Sequence, residues 1–420
     1  MATKVFRGDS LDVAHLETIT IGGTWIAGET VTITINGKDA VHTVVSGSTS
    51  ISDVVAGLIT AITNITPQAG EFSELTWVDA DPDITATGNT PGVTHTITTS
   101  TDSVSGTIND VETTAATGRE HLIAGNVDGG LPAASDVLIF EQSSTNLKYG
   151  LTALNGVTYD ELRIMASYTG EIGNPMRNPQ SPDYFEYRDR RLDSGGATLI
   201  VIGAGEGSGS GRIDLNCSDT NVTIRVLKTA RSVDDNHAVR ITNTGATSNI
   251  EISGTSTVDL GIEEDDDCQF SNIDVSGNAQ VRIGQNTVFT NLRISGSASV
   301  DLSSLDANTD ITLIEIKDNA TLTIRGDNAI TTINQEGTST VTDFGTGTIT
   351  AYNRSGQANY TNVGTAAVSG ERIMTDATLQ KGAGIWNSHG VTVTNGYTLP
   401  DATLQEHPNF NPGYDLTVSI

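Results

Sequence analysis

A short phrase recurs through the middle of this chain. Ile250, Ile273, Leu292 and Ile314 each open a version of I-x-I-S-G-x-x-x-V-x-L, at spacings of 23, 19 and 22 residues. Ile333 to Val341 gives a weaker fifth copy. Inside the copies, runs such as Ile250-Glu-Ile252, Val258-Asp-Leu260, Ile273-Asp-Val275 and Val281-Arg-Ile283 are apolar on alternate residues. That alternation describes a strand with one buried face. Strands this short bury their aliphatic row only by stacking on copies of themselves, and a period of about 20 residues is that of a parallel β-solenoid. A β-sandwich also uses short alternating strands, but it favours hairpins at about 8–12-residue spacing. The spacing therefore predicts a mainly β protein whose windings carry ladders of inward Ile, Val and Leu. Ten or more coils would make a rod of roughly 50–60 Å, at about 4.8 Å per coil.

Composition agrees with a turn-rich β scaffold. Gly is abundant at 44 residues and aromatics make up 5%, and a hydrophobic fraction of 36% suits a thin core better than a globular one. The net charge of −29 argues against nucleic acid and against an anionic membrane as partners. No apolar run is long enough to span a bilayer. Such a surface keeps the chain soluble; docking on a basic surface or binding Ca²⁺ are its other uses. Cys217 and Cys268 are too few for a disulfide framework and lack a zinc spacing. They are expected as buried thiols, with a bridge between nearby coils as the alternative.

Taken in order, residues 1–18 read as an extended N-terminal arm. Residues 19–115 read as a small α+β domain with one helix. There Asn36-Gly37 joins two alternating runs as a hairpin, and Ile51, Val54, Val55, Leu58, Ile59 and Ile62 fall at helical spacing behind Ser50 and Asp53. Residues 116–134 are polar and Gly-rich, a linker. Residues 135–378 form the solenoid, and residues 379–420 a C-terminal cap or oligomerisation tail.

Candidate sites are few. The segment Gly173 to Gly195 concentrates Tyr184, Phe185 and Tyr187 with Arg188, Arg190 and Arg191. Aromatics and Arg mark protein contacts, so it is either a subunit contact or a loop folded on its own solenoid. The tail adds Trp386, Tyr397, Phe410 and Tyr414 as contact candidates. Five adjacent carboxylates, Glu263, Glu264, Asp265, Asp266 and Asp267, are either a solvated turn or oxygen ligands for Ca²⁺. Asp79, Asp81 and Asp83 pose the same choice. Gly203 to Gly211 has no following helix and no basic residue for phosphate, so it reads as a wide turn. The seven histidines are dispersed, and no nucleophile elbow or metal-protease helix occurs. The expectation is a protein without catalytic residues or cofactor. The catalytic alternative is a glycan-cleaving solenoid with two carboxylates flanking a groove. Only Phe270, Phe289 and Phe344 lie between Val239 and Thr350, too few for a sugar-stacking surface.

Several stretches of the first 190 residues resemble tailed-phage virion structural proteins. They are the opening Met1-Ala-Thr-Lys-Val-Phe-Arg-Gly-Asp9, the strand-Asn36-Gly-strand-helix block, Glu74-Leu-Thr-Trp77, Leu147-Lys-Tyr-Gly-Leu151 and Tyr168-Thr-Gly-Glu-Ile-Gly173. The resemblance covers under half the chain and carries no catalytic motif. It implies a virion part, most simply a capsid decoration protein forming a homotrimer on the major capsid protein or other virion proteins. A tail or head fibre that binds or cleaves host surface glycan is the alternative. The opening residues lack the apolar core of a secretory signal, which fits assembly in the host cytoplasm and release by lysis.

Overall fold

A computed structural model describes residues 2–66, 69–174, 188–217, 221–230, 237–262, 267–303, 310–364, 366–369, 371–374 and 386–387. The protein is mainly β, with a parallel β-solenoid of about nine turns and, among the described residues, one α-helix. Each winding repeats the phrase found in the sequence. A strand such as Cys268–Val275 is followed by a tight turn, a second strand such as Gln280–Ile283, and a corner that leads into the first strand of the next coil, Thr287–Ile294. Every strand pairs in parallel with its counterpart one coil away, in a register that keeps like positions together. Ile250 faces Ile273, then Leu292, Ile314 and Ile333 in turn. On the second face Val258, Val281, Val300, Leu322 and Val341 line up in the same way. These columns fuse into one core cluster that runs from Phe6 to Val368.

The turn after the first strand stacks as regularly as the core. Gly254, Gly277, Gly296, Gly337 and Gly356 all adopt positive φ there, and Asp318 takes the same conformation in the coil without glycine. A small residue follows two positions later and is buried in each coil: Ser256, Ala279, Ala298, Ala320, Ser339 and Ala358. The glycines are also packed against one another, since a Cβ at Gly277 would lie 2.9 Å from the Gly254 nitrogen. Gly277→Ala is therefore expected to cost about 1–2 kcal/mol through left-handed strain and backbone displacement. Asn278→Ala, at the exposed next position, should change the denaturation midpoint little.

The first residues do more than trail as an arm. Thr3–Phe6 pairs in parallel with Val137–Phe140, and the Phe6 and Phe140 rings sit 4.9 Å apart. The chain thus starts the solenoid, leaves to build the α+β domain, and returns. A four-residue strand whose partner lies more than a hundred residues away is hard to see in sequence. Residues 116–134 are likewise folded and not a bare linker. Leu122 and Val127 join the solenoid core, and Asn126 donates to the carbonyls of Gly118 and His121 while accepting from the Ser10 nitrogen.

The inserted domain holds two antiparallel sheets with a separate core. One runs in the order Leu75–Ala80, Asp83–Gly88, Leu16–Gly23, Gly106–Thr114; the other is Lys38–Thr43, Thr30–Ile35, Ile97–Thr101. The helix Ile51–Ile65 starts where expected, with the Ser50 side chain accepting from the Asp53 nitrogen and Asp53 accepting in return from Ser50. It buries Val54, Val55, Leu58 and Ile62. Both cysteines are buried thiols. Asn243 stands between Cys217 and Cys268 in one column, so the thiols are two coils apart and no bridge forms.

Candidate functional site

Two groups of charged side chains each contain members buried well beyond what the sequence pattern anticipates. The first lies where the α+β domain meets the solenoid. In the strand Leu16–Gly23, Glu17 has the same parity as Ile19 and Ile21 and so faces inward. Its neighbour across the sheet is Glu112, with Asp110 opposite Ile19. Three carboxylates thus share one end of an apolar face. His15 answers them: its Nε2 is 3.2 Å from Glu17 and its Nδ1 is 3.2 Å from Glu112. The His95 ring packs edge-on against His15 at 5.4 Å, over Gly88, where a Cβ would crowd His95 at 3.3 Å. The Nδ1 of His95 is 3.6 Å from Glu74, which also accepts from Arg188 at 2.7 Å. Arg188 donates as well to the Thr94 carbonyl at 2.8 Å. Nearby, His121 contacts the Gly92 carbonyl at 2.7 Å and lies against Tyr149.

Burial governs the protonation of this group. It pushes the Glu17 carboxyl up to about 7, helped by the charges of Asp110 and Glu112. It holds His95 down at about 3, and the Arg188 and His15 charges act in the same direction. His15 and His121 are also held below the ordinary imidazole value by burial, against the opposing pull of nearby carboxylates. The histidines judged dispersed in sequence are therefore gathered in space: three of the seven meet here. Pairing of Leu16–Gly23 with Asp83–Gly88 sets His15 beside Gly88, and the segment after Gly88 returns to place the His95 ring against it. The only hint in the sequence was the parity of Glu17.

The second group runs along the outside of the solenoid. One column reads Asp214, Arg240, Asp259, Arg282, Asp301, one residue per coil. Another reads Arg225, Glu251, Asp274, Arg293, Glu315. Opposite charges sit on neighbouring coils almost throughout, the arrangement that stacked strands favour. Asp259 accepts from Arg282 at Nε, 2.7 Å, and again at Nη2, and lies 3.1 Å from His237. Asp214 is buried, and that raises its carboxyl to about 6 although Arg240, Arg190, Arg212 and Arg191 all pull the other way. Beside these columns, Asn249, Asn272 and Asn291 form a ladder of amide hydrogen bonds of 2.6 and 2.9 Å.

The structure separates the residues singled out from sequence. Arg188 anchors to the α+β domain, while Arg190 and Arg191 lend their charge to Asp214. Tyr184, Phe185 and Tyr187 lie outside the described residues, as do Tyr397, Phe410 and Tyr414. Trp386 extends the second face by pairing with Tyr360. Of the acidic run, Glu263, Glu264, Asp265 and Asp266 lie outside the described residues. Asp267 is exposed, and its carbonyl accepts from the Asn243 nitrogen. Asp81, one of the alternating aspartates, accepts from Ser52. Among the described residues no three His, Cys, Asp or Glu side chains converge to hold a metal ion, and no helix is long and apolar enough to cross a membrane. Comparison of the chain with family models, with curated proteins and with solved structures found no match. Fold and sites together define a parallel β-solenoid carrying an inserted α+β domain.

Proposed function

We propose that this protein is a non-enzymatic structural part of a tailed-phage virion, a capsid decoration protein acting as a homotrimer on the major capsid protein. The observation that carries the non-catalytic reading is the state of the solenoid's outer carboxylates. A glycan-cleaving groove needs two accessible carboxyl groups on neighbouring coils. Here Asp214 and Asp259 are buried beside arginines, and the more exposed Glu251, Asp274, Asp301 and Glu315 are each paired with an arginine. Aromatic surface is equally spare. Phe270 and Phe289 are buried in one column, and Phe344 lies under the Arg325 guanidinium at 5.4 Å. What remains is a stiff acidic rod whose lateral charges stabilise the rod itself. The virion assignment comes from the resemblance of the first 190 residues.

The test mixes purified protein with undecorated capsids, separates them by sedimentation, and measures native mass. Cosedimentation and a trimer mass are expected. A monomer that stays in the supernatant would remove the decoration reading. Release of reducing ends from host surface polysaccharide would replace it with the tailspike-like alternative.

A further inference from the structure

The junction between the α+β domain and the solenoid has an unusual charge arrangement. Residues 89–95 are held from three sides: His15 and its carboxylates, His121 at the Gly92 carbonyl, and Arg188 at the Thr94 carbonyl. His95 closes this segment, and neither of its ring nitrogens makes a hydrogen bond. The groups facing His95 are Glu74 from the turn Gly70–Glu74, Arg188 from the solenoid side, and His15. Behind His15 stand Glu17 on one strand and Asp110 and Glu112 on the next. The strand Asp83–Gly88 presents only Gly88 here. The nearest carboxylate, Glu74, already accepts from Arg188.

We propose that this junction is an acid-sensitive clasp: a proton on His95 makes it compete with Arg188 for Glu74, and the clasp on residues 89–95 opens. The neighbouring groups bear on the proton balance too. Burial raises Glu17 and lowers His15, so their two contributions to the proton balance of opening run in opposite directions. His121, once protonated, still donates to the Gly92 carbonyl. His95 is the group whose proton uptake on opening acts directly on the Glu74–Arg188 contact; burial lowers His121 as well, so it adds to the uptake where opening exposes it. The His95 value in the closed state is depressed, so closure is fully favoured above about pH 6.5 and is lost as pH falls toward about 3.

Hydrogen exchange on the full chain tests this, with rates corrected for the pH dependence of intrinsic exchange. Opening of residues 89–95 should increase about thirtyfold at about pH 5 relative to about pH 8, tenfold per unit below the ordinary imidazole value. Amides of the strands Leu292 to Ile294 and Ile311–Ile316 should keep their protection over the same range. His95→Gln should reduce the increase at least tenfold, and Arg188→Gln should loosen the segment at both values and flatten the response. Wild-type exchange at 89–95 that is constant between the two values would overturn the proposal, as would His95→Gln opening like the wild type. If His95→Gln fails to fold, an NMR titration of the wild-type imidazole decides. Titration of His95 near its ordinary value with the segment still closed would overturn the proposal; titration coincident with opening would support it.

Discussion

Asp259→Ala should lower the stability of the solenoid by about 3–5 kcal/mol, the range for removing one partner of a buried charge pair. The Asp259 side chain is 3% exposed and is shared by Arg282, His237 and Arg240. Its loss leaves two guanidinium groups stacked without the anion between them, in a place where water reaches poorly. The same substitution one column over should behave differently. Asp274 pairs with Arg293 at 3.2 Å, but its side chain is 43% exposed and Arg293 keeps Glu315 at 2.9 Å. Asp274→Ala is therefore expected to cost less than about 1 kcal/mol. Replacing the pair together, Asp259→Leu with Arg282→Met, should recover much of the loss, because the Arg282 charge goes with its partner and Arg240 keeps Asp214. Guanidinium denaturation of the variants measures all of this. Equal midpoint shifts for Asp259→Ala and Asp274→Ala would show that burial of the column contributes nothing.

Much of the solenoid could be read from residues 250–341 because its code is local. Parity within Ile273-Asp-Val275 sets the buried face, and the distance to Leu292 sets the coil. The turn column is visible in the same way, through Ser276-Gly277 and Ser295-Gly296, with Asp318 as the one departure. The helix Ile51–Ile65 was equally plain from its spacing and its cap. What stayed hidden depends on long-range pairing. Thr3–Phe6 has no internal period, and its place in the ladder is set by Val137–Phe140. Residues 116–134 look like a linker because polarity was all that could be seen; their few apolar side chains, Leu122 and Val127, turn out to cover the core.

The charged sites follow the same division. The alternation of Arg and Asp in Val239-Arg-Ile241, Val258-Asp-Leu260 and Val281-Arg-Ile283 was in view, and the 19-to-23-residue period stacks these positions. Parity, however, assigns Asp214 and Asp259 to the solvent side. Their burial comes from what lies over them: the backbone at Gly173 packs on Asp214, and His237 with two arginines covers Asp259. The histidine junction was out of reach for another reason. His15 and His95 are far apart in the chain, and they meet only because strand pairing sets His15 beside Gly88 and the following segment folds back over it.

Ile314→Ala should cost about 3–4 kcal/mol, within the usual range for an aliphatic side chain truncated in a packed core. Ile314 is fully buried between Leu292 on one coil and Ile333 on the next. The ladder neighbours above and below are fixed by backbone pairing and so fill the gap poorly. The loss should also be local. In a solenoid each winding touches only the windings beside it, so stability propagates by nearest-neighbour terms and not through a single global core. Hydrogen exchange should then quicken in the strands Thr287–Ile294, Ile311–Ile316 and Ile330–Gln335. It should stay slow in Val137–Phe140 and Glu161–Met165, many coils away, and in the domain that holds Ile51–Ile65. Val288→Ala, at a half-exposed outward position of a neighbouring coil, should change either measure by less than about 0.5 kcal/mol. A loss of protection spread evenly from Val137 to Val368 would instead mean that the windings unfold as one unit, and the nearest-neighbour account of this rod would fail.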